Sequence, residues 1–470
     1  MKSLRRFQPR VSAIDGAPDV ERWLRALHTR RDLCLLDSVG GAPRHWSLLA
    51  FDPLLEAPAP ETAAQLGEFA SSLQVLPGDD VPGPFHGGFL GALAYDLGVH
   101  GEELELPPDP WQLPRIVGGL YTDFIVIDHG ADSAWLVLGE DPGDGRPALA
   151  ERRRTIEALL TGPPPDLASA PAGPLVRHTA AAEHERRVEE TREFIARGEI
   201  YQANLAQRFT RELSGHPLAT YCALRRSNPS PYMGYLAWGA GPDGALLSAS
   251  PELLLEVRGR RARTRPIKGT IARGADEAED RANKAELCAS EKDLAELAMI
   301  VDLERNDLGR IARAGSVRVR EFPALESYAA LHHLVADVEC ELRPQSTALD
   351  ALLAVFPGGS ITGAPKLRSM EVIAELEGEG RGFFTGALGF LDTRGDACFN
   401  ILIRTLVWRP RSEGQGEVSF HVGGGITWRS NAKAEEREAR IKGAALAAAL
   451  GSPDEEPNEL TELLPTRAPR

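Results

Sequence analysis

Apolar positions along this chain switch between two spacings, and the switches mark out its elements. Short apolar runs at 33–36 and 118–127, with β-type runs near 207–210, 233–238 and 246–248, read as strands. Residues 181–198 interleave apolar with charged positions and predict an amphipathic helix. Residues 253–257, a turn at 258–261 and the return toward Lys268 read as a β-hairpin. In 276–313, Leu294, Leu297, Ile300, Val301 and Leu303 recur at helical spacing and predict helix. A Gly-rich turn at 357–363 leads into a helix through 370–376. Runs at 386–391, 398–408 and 418–422 read as consecutive antiparallel strands, and a last helix spans about 432–450.

Strands and helices mix without regular β-α alternation, so the predicted class is α+β with antiparallel sheet. The clearest break is 161–174, where five prolines stand among Gly and Ala. Proline there cannot continue a helix or a central strand. The break separates an N-terminal region, 1–160, from a larger one, 181–450, with 161–180 as linker. The polar, proline-containing stretch 451–470 is expected to be disordered.

Composition narrows the function classes. Hydrophobic residues make up 43% and charged residues 26% of 470, ordinary for a soluble globular chain. The net charge of −15 disfavours nucleic acid as the main partner, and an anionic substrate then needs local cations or a metal ion. Five scattered cysteines without CxxC spacing point to reduced thiols in a cytosol. No signal-peptide h-region is evident, and no apolar run approaches the ~20 residues of a membrane span, so a cytoplasmic location is expected. Neither GxGxxG after a strand nor a P-loop is present.

The candidate chemistry lies in the second half. Glu252 and Lys268 stand at the two ends of the predicted hairpin, where an acid and an amine nucleophile could converge on one reaction. Asp293 and Glu296 lie one helical turn apart, as do Glu435 and Glu438, with Lys442 on the same face. Two helices each presenting two carboxylates suit Mg²⁺. Gly423, Gly424 and Gly425 end a strand and could form a backbone nest for a carboxylate. Arg404, in an otherwise apolar strand, needs an anion.

These segments resemble the chorismate-binding enzymes. The matching strings are IYQANLAQRF (200–209), NPSPYMGYL (228–236), SPELLLEV (250–257), PIKGT (266–270), AELAMIVDLERNDLGRI (295–311), HHLVADV (332–338), PGGSITGAPKLRSMEVI (357–373), TGALGF (385–390), NILIRTL (400–406) and GGGI (423–426). The resemblance covers nearly all of 183–450. It extends more loosely into the first 160 residues through LLDS (35–38) and GGFLGALAYD (87–96). It implies an anthranilate-synthase-like fold, two packed antiparallel β-sheets flanked by helices.

Within that family, Gln202 stands where isochorismate- and salicylate-forming members carry a water-activating Lys, and Gln cannot act as a general base. Lys268 stands where anthranilate synthases carry Ala. The aminodeoxychorismate synthase component I branch carries Lys there, and the resemblance to it is the closest. It implies Mg²⁺-dependent amination of chorismate to 4-amino-4-deoxychorismate, a precursor of 4-aminobenzoate and folate, through a covalent Lys268 adduct with Glu252 as proton donor. It further implies Mg²⁺ held by Glu296 with Glu435 or Glu438, beside Asp293, with Glu436 leaving the choice open. Arg404 and Gly423–Gly425 would hold the enolpyruvyl carboxylate, with Lys442 adding charge. Gln202, Thr270, His333 and Thr362 would line the substrate, although His332 leaves the histidine register open. No glutaminase nucleophile elbow is found, so ammonia is expected from a separate glutamine amidotransferase subunit. The alternatives are anthranilate synthase component I, a non-catalytic chorismate-binding subunit, and a pyridoxal phosphate enzyme with Lys268 as Schiff base.

Overall fold

Most strands of this chain carry apolar side chains on a face that one sheet alone would leave in water, and a second sheet covers it. A computed structural model describes residues 4–39, 45–57, 62–99, 104–141, 143, 145–239, 243–328, 331–451 and 460. Among them, the larger sheet has 14 strands. From one edge it runs Ser169–Pro171, Gln202–Gly215, Gln415–Ile426, Thr405–Ser412, Gly244–Ser250, Tyr232–Trp238, Cys34–Asp37, Trp46–Ala50, Phe124–Asp128, Ser133–Glu140, Arg5–Ile14 and Leu73–Val75, with Val176–Arg177 and Gly363–Ala364 also on Gln202–Gly215. The second sheet has 10 strands, running Ile267–Ala272, Leu331–Glu341, Arg261–Arg265, Leu253–Arg258, Ala397–Ile401, Ala387–Asp392, Gly88–Leu93, Ile116–Tyr121 and Leu55–Glu56, with Arg318–Ser327 also on Leu331–Glu341.

The layer between the sheets is apolar and drawn from both, with Leu36, Ala50, Val126, Leu236 and Leu246 meeting Leu90, Leu253, Leu388 and Phe390. Helices close the outer faces. Ala63–Ala70, Glu291–Gly309 and Ala348–Val355 cover the second sheet, and Val20–Ala26, Pro217–Ser227 and Ala432–Ala449 cover the larger one. Each sheet takes strands from both sides of the proline-rich segment. Ser169–Pro171 within that segment is itself an edge strand, where a proline costs no ladder bond.

Three expected elements differ in ways that matter below. The helix predicted over 276–313 is two helices, Glu277–Ala289 and Glu291–Gly309. They part at Ser290, whose hydroxyl accepts from the Asp293 N–H and caps the second. The strand predicted over 398–408 is split into Ala397–Ile401 and Thr405–Ser412, which lie in different sheets. The strand predicted at 418–422 extends through the glycines as Gln415–Ile426. Of the tail expected to be disordered, 452–459 and 461–470 lie outside the described residues. Leu460 is described, and it is buried beside Gly443 of the last helix. Among the described residues, no helix is long and apolar enough to cross a membrane.

Candidate active site

Two neighbouring strands cross from one sheet to the other at the same level, and each crossing carries a candidate residue. The chain leaves Gly244–Ser250 for Leu253–Arg258 through Pro251 and Glu252, and returns from Ala397–Ile401 to Thr405–Ser412 through Arg404. The crossings are tied together. Ser250 Oγ donates to the Ile401 carbonyl at 2.6 Å, and the Ile401 N–H donates to the Glu252 carbonyl at 3.1 Å. Arg404 has φ +50°, a left-handed conformation that helps turn the chain between sheets. A continuous strand would have put Arg404 in a ladder. Instead its guanidinium has no hydrogen-bond or ion-pair partner among the described residues. Burial lowers its pKa, which the Glu252 carboxylate partly offsets.

The hairpin forms as expected, Leu253–Arg258 against Arg261–Arg265, and its open end joins the candidate acid to the candidate nucleophile. Glu252 Oε1 accepts from the Ile267 N–H at 3.2 Å. Lys268 follows on Ile267–Ala272. A bulge between Lys268 and Thr270 there uses Gly269 at φ +79°, which re-aims one side chain relative to the other. Lys268 Nζ donates to the Ser360 carbonyl at 3.1 Å, and Asn204 Nδ2 reaches the same oxygen at 3.4 Å. Burial raises the Glu252 pKa, opposed by the Ser360 hydroxyl and by Lys268. Burial also lowers that of Lys268, opposed by Glu296 and Glu252. Both shifts favour the neutral forms, a protonated acid and a free amine.

Gln202 is fully buried, and neither atom of its amide has a hydrogen-bond partner among the described residues. A Cβ on Gly425 would lie 2.6 Å from Gln202 Nε2 and 3.4 Å from Lys268 Nζ, so glycine leaves room for both. The three glycines are not in the expected turn. They lie in extended strand, with Gly423 opposite Ala206, Gly424 opposite Leu205 and Gly425 opposite Asn204. Gln202–Gly215 pairs with one edge of this strand, and beyond Ser419 the other edge has no ladder partner, so these residues offer alternate backbone groups there as well as missing side chains.

Thr270 Oγ1 and His333 Nδ1 are 2.7 Å apart, and burial, reinforced by Arg404, pushes His333 down to about 3, leaving it neutral. Strand alternation puts the two histidines on opposite faces. His332 points the other way and bonds Asp280 and Ser327, at 2.8 Å each. The Thr362 hydroxyl donates to the Gly358 carbonyl at 2.8 Å, within the turn that carries Ser360.

The carboxylates come from two helices. Glu296 and Glu435 face each other, with Lys292 Nζ 3.9 Å from an oxygen of each. Glu438 pairs with Lys442 at 2.8 Å, and Lys442 also donates to the Gly423 carbonyl at 3.2 Å. A Cβ on Gly424 would lie 3.4 Å from Lys442 Nζ and 3.5 Å from Glu435 Oε2. Asp293 accepts from the Ser290 hydroxyl at 2.5 Å, committing its carboxylate to the helix cap. Glu436 turns away to Arg177, at 2.9 Å, and Arg440. Among the described residues, no three acidic, His or Cys side chains converge into a ready-made ion site. The donor chemistry still fits a hard divalent cation. Glu296 Oε1 is buried without a hydrogen bond, and burial, with Asp293 and Glu435 adding, raises the Glu296 pKa.

Sequence reasoning overlooked Ser360, Asn204 and Lys292. Ser360 stands inside the SITGAPK string, but what holds Lys268 is its main-chain carbonyl, which side-chain chemistry does not reveal. A buried acid and a half-buried amine thus share one wall, an unpaired guanidinium lies beside the acid, and a carboxylate cluster lies beyond the amine. This arrangement can bind a small polyanion and exchange a group on it. The comparisons agree with that reading. A model of the chorismate binding enzyme family matches residues 41–448. The chain is 40% identical over 381 residues to aminodeoxychorismate synthase component 1 of Bacillus subtilis (strain 168), covering 79% of this chain and 78% of that protein. It is 39% identical over 438 residues to anthranilate synthase component 1 of Streptomyces coelicolor, covering 88% and 83%. In structure it is similar to anthranilate synthase component I from Streptococcus pneumoniae TIGR4, with TM-score 0.74, 30% identity, and 87% and 93% of the two chains covered. The expected α+β fold of two packed sheets is therefore the one observed, and the chain belongs to the chorismate-binding enzyme family.

Proposed function

We propose that this enzyme aminates chorismate at ring carbon 4, giving 4-amino-4-deoxychorismate, as an aminodeoxychorismate synthase component I. The observation that carries this reading is Lys268, half-buried beside Glu252, held by the Ser360 carbonyl and shifted toward the free amine. The Lys268 amine bonds to ring carbon 2 as both ring double bonds shift and the carbon–oxygen bond at carbon 4 breaks. Glu252 supplies the proton with which the hydroxyl leaves as water. Ammonia then bonds to carbon 4, both double bonds shift back, and Lys268 leaves carbon 2. The protons released restore Glu252 and the free amine, so chorismate plus ammonia gives product plus water.

Arg404 meets the enolpyruvyl carboxylate, Lys442 adds positive charge, and Thr270 and His333 line the same wall. Gln202 presents its amide to the substrate and offers no base with which to activate water. Glu296, Glu435 and Glu438 are the residues that would hold Mg²⁺, with Asp293 confined to its cap. When bound, the ion would neutralise charge on the ring carboxylate. The ammonia is proposed to come from a glutamine amidotransferase partner, in keeping with the component naming of the relatives.

The nearly equal identity to an anthranilate synthase component 1 favours one second reading, release of anthranilate and pyruvate. The test is to incubate the purified protein with chorismate, Mg²⁺ and ammonium at mildly alkaline pH and resolve the products by mass spectrometry. A product retaining its enolpyruvyl group is expected. Anthranilate with pyruvate would replace the first reading with the second.

A further inference from the structure

The carboxylate cluster already contains a cation of its own. Lys292, in the first turn of Glu291–Gly309, places its ammonium 3.9 Å from Glu296 Oε1 and 3.9 Å from Glu435 Oε1. It therefore spans the two helices whose carboxylates would take a divalent ion. The two acids are largely shielded from solvent, with side-chain exposures of 14% and 7%, while Lys292 retains 46%. Without a counter-cation, shielded carboxylates facing each other repel. A flexible, half-exposed lysine stem can carry its charge out to solvent at little cost. Glu438 does not need Lys292, because Lys442 already pairs with it at 2.8 Å.

We propose that Lys292 is an exchangeable internal counter-ion. It bridges Glu296 and Glu435 in the ion-free enzyme and swings outward when a divalent cation takes the two carboxylates. This rests on the metal assignment made under the proposed function. Two consequences follow from one ammonium competing with one ion for the same oxygens. Lys292 weakens cation binding, and it protects the ion-free protein.

The test compares the intact parent protein with Lys292→Met, which keeps the apolar stem and removes the charge. Each is titrated with Mg²⁺ alone by isothermal calorimetry, without chorismate. Because two half-solvated ion pairs no longer have to break, the variant is expected to bind Mg²⁺ about tenfold more tightly. In EDTA its Tm is expected to fall below that of the parent, and saturating Mg²⁺ should close the gap. Equal or weaker Mg²⁺ binding by the variant, with the parent binding normally, overturns the counter-ion role and leaves the metal assignment standing. A parent that binds no Mg²⁺, or binds it equally well after Glu435→Gln, overturns both.

Discussion

The same desolvation acts in opposite senses on Lys268 and Glu252, because their charges are opposite. Desolvation lowers the lysine from 10.5 and raises the glutamate from 4.5, so their titrations approach each other. Amination should therefore follow a bell-shaped pH profile. It rises as Lys268 loses its proton and falls as Glu252 loses its own. Glu252→Gln is expected to lower kcat about 10²–10⁴-fold and to abolish the alkaline limb, read from kcat/KM against pH. An alkaline limb unchanged in the variant would assign that limb to another group. A second buried acid behaves differently. Glu304 lies under the second sheet, hydrogen-bonded to the Thr264 hydroxyl, and burial pushes it up to about 8. The folded form keeps a proton that the unfolded chain releases above pH 4.5. Folding stability is thus expected to fall between about pH 4.5 and 8 and to level off beyond. Glu304→Gln should remove that slope, a gain of at most about 5 kcal/mol at pH 8 that vanishes below pH 4. Urea denaturation across pH measures it, and parallel curves for the two proteins would contradict the account.

At the scale of elements, the site is built by interruptions of regular structure. Ser290 divides one predicted helix in two, and its cap ties up Asp293. The residues 402–404 interrupt one predicted strand, and the break places Arg404 beside Glu252. The glycines run the other way, continuing a strand where a turn was expected. Part of their importance is therefore steric. Gly425→Ala would press a methyl group to 2.6 Å from Gln202 Nε2, and is expected to raise KM for chorismate at least tenfold. The double variant Gly425→Ala with Gln202→Ser should recover part of that loss, because the shortened side chain vacates the space. Strictly additive effects would mean that the two residues do not share it. The amphipathic helices, the hairpin and most strands were legible because hydrophobic period depends on local spacing. The breaks were not, because a strand that changes sheets keeps its apolar pattern through the crossing.

At the scale of the whole molecule, the two halves of the chain are woven into both sheets. Cys34–Asp37 pairs with Tyr232–Trp238, and Gly88–Leu93 pairs with Ala387–Asp392. A protein cut at the proline-rich segment would expose long unpaired strand edges on both pieces. The full chain is therefore expected to unfold in one calorimetric transition, and residues 1–160 expressed alone should show no cooperative unfolding by circular dichroism. A folded, cooperative fragment would make the N-terminal region an independent unit.

By itself the sequence determined the kind of chemistry available and the family that uses it. Lys268, Glu252, Arg404 and the paired carboxylates stand in order along one chain, and residue type decides what each group can donate or accept. The tertiary structure decided how those groups are disposed. It set His333 beside Arg404, turned Glu436 away from the cluster to Arg177, and set Lys292 between two carboxylates. Each of these depends on which face a side chain takes and on what another element brings opposite it. Such choices are made by packing and desolvation between segments far apart in sequence, and no local spacing encodes them.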